Sequence, residues 1–219
     1  MTIGELLAQF GNKYLVAMLT TWKLTAVSFA FALLIGVAVT VMRTCPVRPL
    51  RMLGDFYVQV FRNIPGAALL MVLVYALPYL GAVLPYGNCV VIATTLIPSA
   101  FCSEYLMSGI NTIGIGQIEA ARSLGLSQRL TMTQIILPQA VKNILPALGN
   151  EFIMIVKDTS LASTFFIGDL MTQCLLIKGT TYLTMEPLIM VAVVYFVLTF
   201  VLSKLLAVFE RRLRRGDIQ

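Results

Sequence analysis

Long apolar segments separated by short polar breaks dominate the pattern of hydrophobic and polar residues along this chain. A helix needs about 20 apolar residues to cross the hydrocarbon core of a bilayer, and several segments approach or exceed that length. The pattern predicts five spanning helices, at about 15–42, 64–80, 88–107, 144–166 and 187–209. We therefore expect an all-α, polytopic membrane protein that forms one membrane domain over residues 1–219.

Prolines, glycines and arginines mark the breaks between these segments. The first segment ends at RTCPVRPLR, and the turn sequence LPYLGAVLPYGN divides the charge-free stretch between Arg62 and Glu104. That stretch is too long for one helix, so we predict two spans joined by a short outer loop. The sequence TQCLLIKGTTYLTMEP is expected to form a loop or a short amphipathic segment before the last span.

The distribution of arginine and lysine predicts how the spans are oriented, because cytoplasmic segments are enriched in these residues. With a cytoplasmic C-terminus, the outer side holds only Lys13, Lys23 and Lys178. The inner segments then hold Arg43, Arg48, Arg51, Arg62, Arg122, Arg129, Lys142, Lys204, Arg211, Arg212, Arg214 and Arg215. We therefore expect the N-terminus outside and the C-terminus inside, with the first span serving as the insertion signal.

The composition supports a membrane protein and narrows its chemistry. The chain is 58% hydrophobic and only 12% charged, with a mean hydropathy of +0.88, whereas soluble domains are about a quarter charged. It has no histidine and no C-x-x-C pair, so we expect no metal site and find little support for a membrane enzyme. The net charge of +6 is explained by topology rather than by nucleic-acid binding. Cys89 and Cys174 could form a disulfide near the outer face, although two buried thiols are the simpler expectation.

The longest moderately polar passage, EAARSLGLSQRLTMTQIILPQA, falls in the second predicted cytoplasmic loop. It is too short for a domain, so it is either a contact for a soluble partner or a plain solvated connector. Its alanines favour a short helix, Gly125 can adopt the left-handed turn that ends such a helix, and Pro138 suits the first turn of the next. Glu119 and Arg122 are one turn apart and could pair with each other.

The spacing within this passage is specific. Glu119-Ala120-Ala121 is followed by three residues, Gly125, nine residues, Ile135, one residue, and Leu137-Pro138. This pattern resembles the cytoplasmic EAA loop of bacterial ATP-binding-cassette importer permeases. Further segments resemble the polar amino-acid branch of that family, including SAFCSEYLMSGINTIGIGQIEAARSLGLSQ, IILPQAVKNILPALGNEFIMIVKDTSLAS and YVQVFRNIPGAALL. The similarity extends over about residues 17–210, and the coupling loop over 109–140.

The resemblance implies a type I importer permease fold in the bacterial inner membrane. It implies an amino-acid substrate, an external solute-binding protein, and a second permease copy, identical or related, that completes the translocation path. Two cytoplasmic ATPase subunits would bind ATP and magnesium, because this chain has no G-x-x-x-x-G-K-[ST] phosphate loop. The residues that would couple to the ATPase are Glu119, Ala120, Ala121, Arg122, Gly125, Ile135, Leu137 and Pro138.

Two departures from the family pattern bear on the substrate. Met107 stands where the family often has arginine, and Asn63-Ile64-Pro65 replaces its usual run before the proline. An opine or another amino-acid derivative is therefore the alternative cargo. A membrane-embedded enzyme or a channel scaffold is a more distant alternative from another class.

Charged residues inside spans are functional candidates, because they are costly in lipid. The candidate substrate path contains Glu104, Asp158, Arg62, Lys157, Thr159 and Ser160. The acids would meet the ammonium group of an amino acid, and Arg62 or Lys157 its carboxylate. Glu151 and Asp158 are seven residues apart, about 10.5 Å along one helix face. The alternative is that these charges pair within the protein and only hold its helices together.

Overall fold

A computed structural model describes residues 3–214, and within that range the chain is helical and contains no strand. Arg215, one of the inner arginines, lies outside the described residues. The helices are α1 Ile3–Thr44, α2 Arg48–Asn63, α3 Gly66–Met71, α4 Tyr86–Asn111, α5 Ile115–Ser123, α6 Gln128–Thr131, α7 Leu137–Asp158, α8 Leu170–Thr181 and α9 Met185–Arg214. A π-helical turn, Val72–Ala76, and a 3-10 turn, Leu77–Leu80, extend α3, and the 3-10 segment Thr159–Phe165 follows α7.

Three helices are long and apolar enough to cross a membrane, namely Gly4–Thr44, Tyr86–Asn111 and Met185–Leu213. Two bent pairs also qualify, Arg48–Asn63 with Gly66–Leu80 and Gln128–Phe165 with Leu170–Thr181. If each bent pair crosses once, the described residues provide up to five spans. The all-α, multi-span architecture predicted from the apolar segments is thereby confirmed.

The first and last spanning helices are longer than the apolar segments that predicted them. Helix α1 begins at Ile3 rather than near Leu15, and α9 extends from Met185 to Arg214 rather than over 187–209. Hydrophobicity detects only the part of a helix that lies in hydrocarbon, whereas backbone hydrogen bonding continues into the polar interface. The segment 88–107 likewise falls within the longer helix α4, and α7 begins at Leu137, seven residues before the predicted segment 144–166.

Of the two alternatives predicted for the stretch before the last span, the loop was wrong and the short segment is present as a helix, because most of that stretch forms α8. Asp169 caps its first turn, with its carboxylate accepting bonds from the backbone N–H groups of Met171 and Thr172. Leu170, Cys174 and Ile177 are fully or almost fully buried in a cluster that also contains residues of α1 and α9. Their spacing of four and three residues places them on one helix face. Burial of that face stabilises α8, which the polar residues near its ends made difficult to recognise from the sequence.

The bend between α2 and α3 is a direct consequence of Pro65. The residue before a proline is disfavoured in the helical region, and Ile64 is accordingly extended, with φ −95° and ψ 127°. Helix α2 therefore ends at Asn63, and the following run leaves at 103° to it. This corner carries Arg62 to the side of α4.

Helices α1 and α4 form the most extensive helix–helix contact, and small residues allow their close approach. A Cβ atom added at Gly36 would lie 2.7 Å from Cβ of Cys102 and 3.0 Å from the carbonyl oxygen of Ser99. Hydroxyl groups bond across the same seam: Oγ of Ser28 lies 2.8 Å from Oγ1 of Thr94, and Oγ1 of Thr40 donates to Oγ of Ser103 at 3.2 Å. Small residues and interhelical hydroxyl bonds are the usual means of helix association in membranes.

The four cysteines are free thiols. Cys89 lies in a cluster with residues of α1, α3 and α4, whereas Cys174 lies in the separate cluster that joins α1, α8 and α9. The expectation of buried thiols is confirmed, and the disulfide alternative was wrong.

We expect Gly36→Ala to destabilise the protein. Alanine is normally preferred to glycine in a helix by about 1 kcal/mol, but the new methyl group would overlap the rigid backbone of α4, and overpacking costs about 1–3 kcal/mol. The measurement is the melting temperature in detergent. Gly11→Ala is the matched control, since Gly11 is on the same helix with nothing within 4 Å of its added Cβ. An equal melting temperature for the two variants would contradict the proposed close contact.

Candidate coupling loop and substrate path

Helix α5 and the turn after it carry the first half of the EAA pattern. The backbone N–H of Leu126 donates to the carbonyl of Ala121 at 3.0 Å, and that of Gly125 to the carbonyl of Arg122 at 2.9 Å. Gly125 has φ +76°, so it adopts the left-handed conformation that closes a helix end in this way. The side chain of Ser127 then caps α6 by accepting from the N–H of Leu130 at 3.3 Å. The expected helix-turn-helix is present.

One face of this loop is open. Glu119, Ala120 and Arg122 are exposed, whereas Ala121 is only 2% exposed and faces into the chain. Leu124 and Ile115 are 80% and 72% exposed, respectively. Glu119 and Arg122 form no ion pair with each other among the described residues. The loop therefore presents an apolar and charged surface that its own chain does not cover.

The other face is tied to the beginning of the next span. Nε2 of Gln139 donates to Oε1 of Gln117 at 2.6 Å, and Nδ2 of Asn143 donates to Oγ1 of Thr112 at 3.2 Å. An apolar cluster beneath these bonds contains Ile113, Ile136, Ala140 and Ile144, with Ile118 packed against it. Because of these contacts, displacement of α5 would act directly on α7.

The second half of the EAA pattern lies where this run of helix changes geometry. Ile135 falls in the π-helical turn Met132–Ile136, and Leu137 and Pro138 begin α7. Proline provides no N–H and its ring crowds the carbonyl four residues earlier, and a π-helical turn is a common way to accommodate such a defect. Leu137 is 40% exposed, and Pro138 is also exposed.

A network of ion pairs joins α1, α2 and α4. Nη1 of Arg43 lies 2.8 Å from Oε1 of Glu104, and Nε of Arg43 lies 2.9 Å from Oδ1 of Asp55. Nη1 of Arg62 lies 3.3 Å from Oε2 of the same glutamate, and its guanidinium group stacks 5.4 Å from the ring centroid of Phe101. These residues line a cavity of about 430 Å³ together with Val58, Gln59 and Asn63. The network balances two arginines with two acids.

The acids of α7 lie in different surroundings. Glu151 is 6% exposed and accepts a hydrogen bond from the hydroxyl of Tyr105 at 3.1 Å. Asp158 and Ser160 line a second cavity of about 360 Å³, beside Pro65 and Gly66, and Asp158 forms no ion pair among the residues described.

The two neighbours of Asp158 are placed apart from this cavity. Lys157 is exposed and is not part of the cavity lining. Thr159 is fully buried, and its hydroxyl donates to the carbonyl of Val156 at 2.7 Å. Of the residues predicted for the path around the end of α7, Asp158 and Ser160 are therefore the two that reach the cavity.

The two cavities follow one face of α4. Thr94 and Ile97 line the cavity beside Asp158, here called the upper cavity. Phe101 and Glu104 line the cavity of the ion-pair network, here called the lower cavity. Spacings of three, four and three residues place these side chains on a single face, over a rise of about 15 Å. The two cavities therefore lie along one side of α4, here called the α4 track, over a length equal to about half the hydrocarbon thickness of a bilayer.

Sequence reasoning missed part of this arrangement. Arg43 and Asp55 complete the ion-pair network, and Tyr105 satisfies Glu151, yet none of them was a candidate. Arg43 ends an apolar span, and Asp55 precedes Arg62 by two helical turns. Their positions beside predicted spans could have indicated that both are candidates for ion pairs. No cluster of three or more metal-ligating side chains occurs in the described part of the chain.

Comparison with known proteins supports the fold described above. The chain is 37% identical over 205 residues to the probable glutamine ABC transporter permease protein GlnM of Bacillus subtilis (strain 168), covering 94% of this chain and 95% of that protein. It is 35% identical over 198 residues to the arginine transport system permease protein ArtQ of the same organism, covering 90% of each. A crystal structure of an amino acid ABC transporter with histidines contains a chain that matches with a TM-score of 0.91 and 35% identity, over 94% of this chain and 96% of that one.

The family model described as binding-protein-dependent transport system inner membrane component matches residues 32–215. This match covers most of the chain, including α2 with its arginines, the face of α4 and the whole EAA loop. The bundle of apolar helices found here is the architecture that an inner-membrane transport component requires. The chain therefore belongs to the family of binding-protein-dependent transport system inner membrane components.

Proposed function

We propose that this chain is the membrane-spanning subunit of a bacterial ATP-driven importer for amino acids, and that its EAA loop couples it to a cytoplasmic ATPase. The observation that carries the proposal is the loop itself, which combines an exposed face with a rigid attachment to α7. Relatives at 37% and 35% identity are named as permeases for glutamine and arginine, whereas the relative named for the opine nopaline is 32% identical. The higher identities favour an amino acid as the substrate over an opine. Membership of a transport family favours this function over a membrane enzyme.

The exposed surface of α5 is suited to bind a groove on an ATPase subunit. Leu124 and Ile115 supply apolar area, while Glu119 and Arg122 supply charge on the same short helix. Since hot spots of interfaces combine buried apolar anchors with a polar rim, this surface has the composition of a docking site. ATP and magnesium would be bound by the ATPase, and this chain would convert closure of that subunit into movement of its helices.

The attachment of α5 supports the conversion step. Helix α5 follows α4 after three residues and bonds to α7 through Gln117 and Gln139. Helix α4 carries Glu104, which lines one cavity, and α7 carries Asp158, which lines the other. A movement of the loop would therefore change the relative positions of the two halves of the proposed path.

The track along α4 would be one half of that path. The cavity at Asp158 is bounded by α3, α4 and the segment after α7, all of which belong to one chain. A second permease copy, identical or related, would complete the path, and an external solute-binding protein would deliver the substrate. Secondary transporters place their substrates at the interface between repeated units, and a pair of permease subunits would provide an equivalent interface.

The charges around the cavities suit a zwitterionic substrate. Asp158 is the better partner for an ammonium group because Glu104 already pairs with two arginines. Arg62 is 43% exposed at its side chain, so it retains donors for a substrate carboxylate. Ser160 adds a hydroxyl beside Asp158, while Lys157 and Thr159 are weaker candidates because they do not line that cavity.

We expect Gly125→Pro and Glu119→Lys to leave the protein in the membrane but to abolish most ATP-driven uptake. Proline cannot adopt the positive φ of Gly125 and would remove its bond to Arg122, so the turn would not form. Glu119→Lys reverses the charge of the exposed helix. The measurement is uptake into intact cells or into reconstituted vesicles supplied with the solute-binding protein, beside the amount of ATPase that co-purifies.

The matched control is Gly116→Ala. Gly116 lies in the same helix, and its added Cβ would meet nothing within 4 Å, so uptake should remain near the wild-type level. Normal uptake and normal ATPase co-purification in both test variants would contradict the coupling role of the loop.

A second prediction separates the two acids. Asp158→Asn should raise the amino-acid concentration that half-saturates ATPase stimulation by roughly 10-fold, the value of one charge-assisted hydrogen bond. Glu104→Gln should instead lower the melting temperature, because two arginines would lose their shared acid at a cost of about 1–3 kcal/mol. The measurement is ATPase activity against substrate concentration in the reconstituted complex, beside a melting curve for each variant.

The outcome assigns each acid to substrate binding or to structure. If Asp158→Asn lowers the melting temperature and leaves half-saturation unchanged, Asp158 is structural and the proposed ammonium site is wrong. A shift in half-saturation from Glu104→Gln alone would transfer that role to the lower cavity.

A further inference from the structure

Helix α7 carries a buried acid that lies outside both cavities of the α4 track. Glu151 is 6% exposed, is absent from the lining of either cavity and forms no ion pair with any residue of 3–214. An acid inside a spanning helix is costly and is usually retained for a function. Because Glu151 does not reach the cavities, a role in transport must act through a neighbouring side chain.

That neighbour is Tyr105 of α4. Its hydroxyl group donates to Oε2 of Glu151 at 3.1 Å. Tyr105 directly follows Glu104, and successive residues of a helix project about 100° apart. Helix α4 therefore directs Glu104 toward the arginines of α1 and α2 and directs Tyr105 toward α7. The hydrogen bond links α7 to the turn of α4 that carries the ion-pair network.

The ring of Tyr105 continues this connection into the lower cavity. Its centroid lies 6.4 Å from that of Phe101, with the two rings inclined by 29°, and Phe101 is one turn earlier on the same face of α4. The guanidinium group of Arg62 lies 5.4 Å from the centroid of the Phe101 ring. A continuous series of contacts thus extends from Glu151 on α7, across α4, to Arg62 on α2.

Arg62 depends on such contacts for its orientation. Its side chain is 43% exposed, and its distance of 3.3 Å to Glu104 is longer than the 2.8 Å between Arg43 and the same glutamate. A long, exposed side chain retains much rotamer freedom, and an exposed ion pair restricts it only weakly. The cation–π contact with Phe101 is the second restraint, so a movement of that ring would release the guanidinium group.

We propose that Glu151 and Tyr105 are positioning residues for Arg62. The bond to Glu151 holds Tyr105, the Tyr105 ring holds Phe101, and Phe101 holds the guanidinium group in the lower cavity. Since Gln139 ties α7 to the EAA loop, a displacement of α7 would break the bond to Tyr105 and free Arg62. The consequence for transport rests on the proposed role of Arg62 as the carboxylate partner, whereas the positioning of Arg62 does not.

The test is the rate at which phenylglyoxal modifies Arg62, read by peptide mass spectrometry on the full-length chain with the subunits that co-purify. Tyr105→Phe removes the donor, and Glu151→Leu removes the acceptor. Each should raise the rate at Arg62 roughly 5-fold, because the held arrangement loses one typical hydrogen bond. Glu151→Gln retains an oxygen acceptor and should stay near the wild-type rate.

The matched control is Tyr75→Phe. It removes the same hydroxyl group from a ring that lies 6.1 Å from that of Phe165 and takes no part in the contacts with Arg62, so the rate at Arg62 should not change. Arg48, which is exposed, is the reference within each sample. An unchanged rate at Arg62 in both Tyr105→Phe and Glu151→Leu overturns the proposal. A parallel rise at Arg48 also overturns it, because it indicates general loosening of the protein.

A second readout connects the positioning to transport. In the reconstituted complex, Arg62→Gln and Tyr105→Phe should each raise the amino-acid concentration that half-saturates ATPase stimulation, and Tyr105→Phe should add nothing in the Arg62→Gln background. A full additional effect in that background overturns the proposal, because Tyr105 then acts by another route. Unchanged half-saturation in Arg62→Gln, with a raised phenylglyoxal rate in Tyr105→Phe, instead removes Arg62 from the proposed substrate path and supports its positioning by Tyr105.

Discussion

The close packing of α1 on α4 is the most extensive helix–helix contact and sets the register of the charged residues at the ends of these helices. With no side chain at Gly36, the two helices approach until an added Cβ would touch Cys102. Hydroxyl pairs on either side of Gly36 hold the helices in register. That register brings Arg43, at the end of α1, within 2.8 Å of Glu104 on α4. A shift of one turn, about 5.4 Å, would break the ion pair between Arg43 and Glu104.

The contact between α1 and α4 positions the charged residues, and α4 connects them to the EAA loop. The corner at Pro65 carries Arg62 to the same glutamate, so α1, α2 and α4 become one charged unit at the base of the track. Helix α4 then continues into the coupling loop, and the loop bonds back to α7. The proposed ATPase contact and the substrate cavities are therefore both attached to α4 and α7. Few intervening elements would be needed to transmit a movement from one to the other.

The parts of this arrangement that depend on local chemistry were accessible from sequence. Apolar length predicted α4 and α9, and the requirement for a left-handed residue predicted the turn at Gly125. Helix α8 was not accessible, because its stability comes from burial of Leu170, Cys174 and Ile177 against helices distant in sequence. The pairing of Glu104 with Arg43 was missed for the same reason, since two residues 61 positions apart meet only when α1 and α4 are packed.

In the proposed mechanism, the loop around Gly125 contacts the ATPase on the cytoplasmic side. A photo-crosslinking amino acid at Leu124, which is 80% exposed, detects this contact, and the same group at Tyr79, which is 92% exposed in the predicted outer turn, serves as the comparison. The measurement is the identity of the subunits crosslinked in intact cells. We predict that the group at Leu124 crosslinks to the ATPase subunit and that the group at Tyr79 does not. Crosslinking of the ATPase from Tyr79, or its absence from Leu124 in an active complex, would contradict both the orientation and the coupling role.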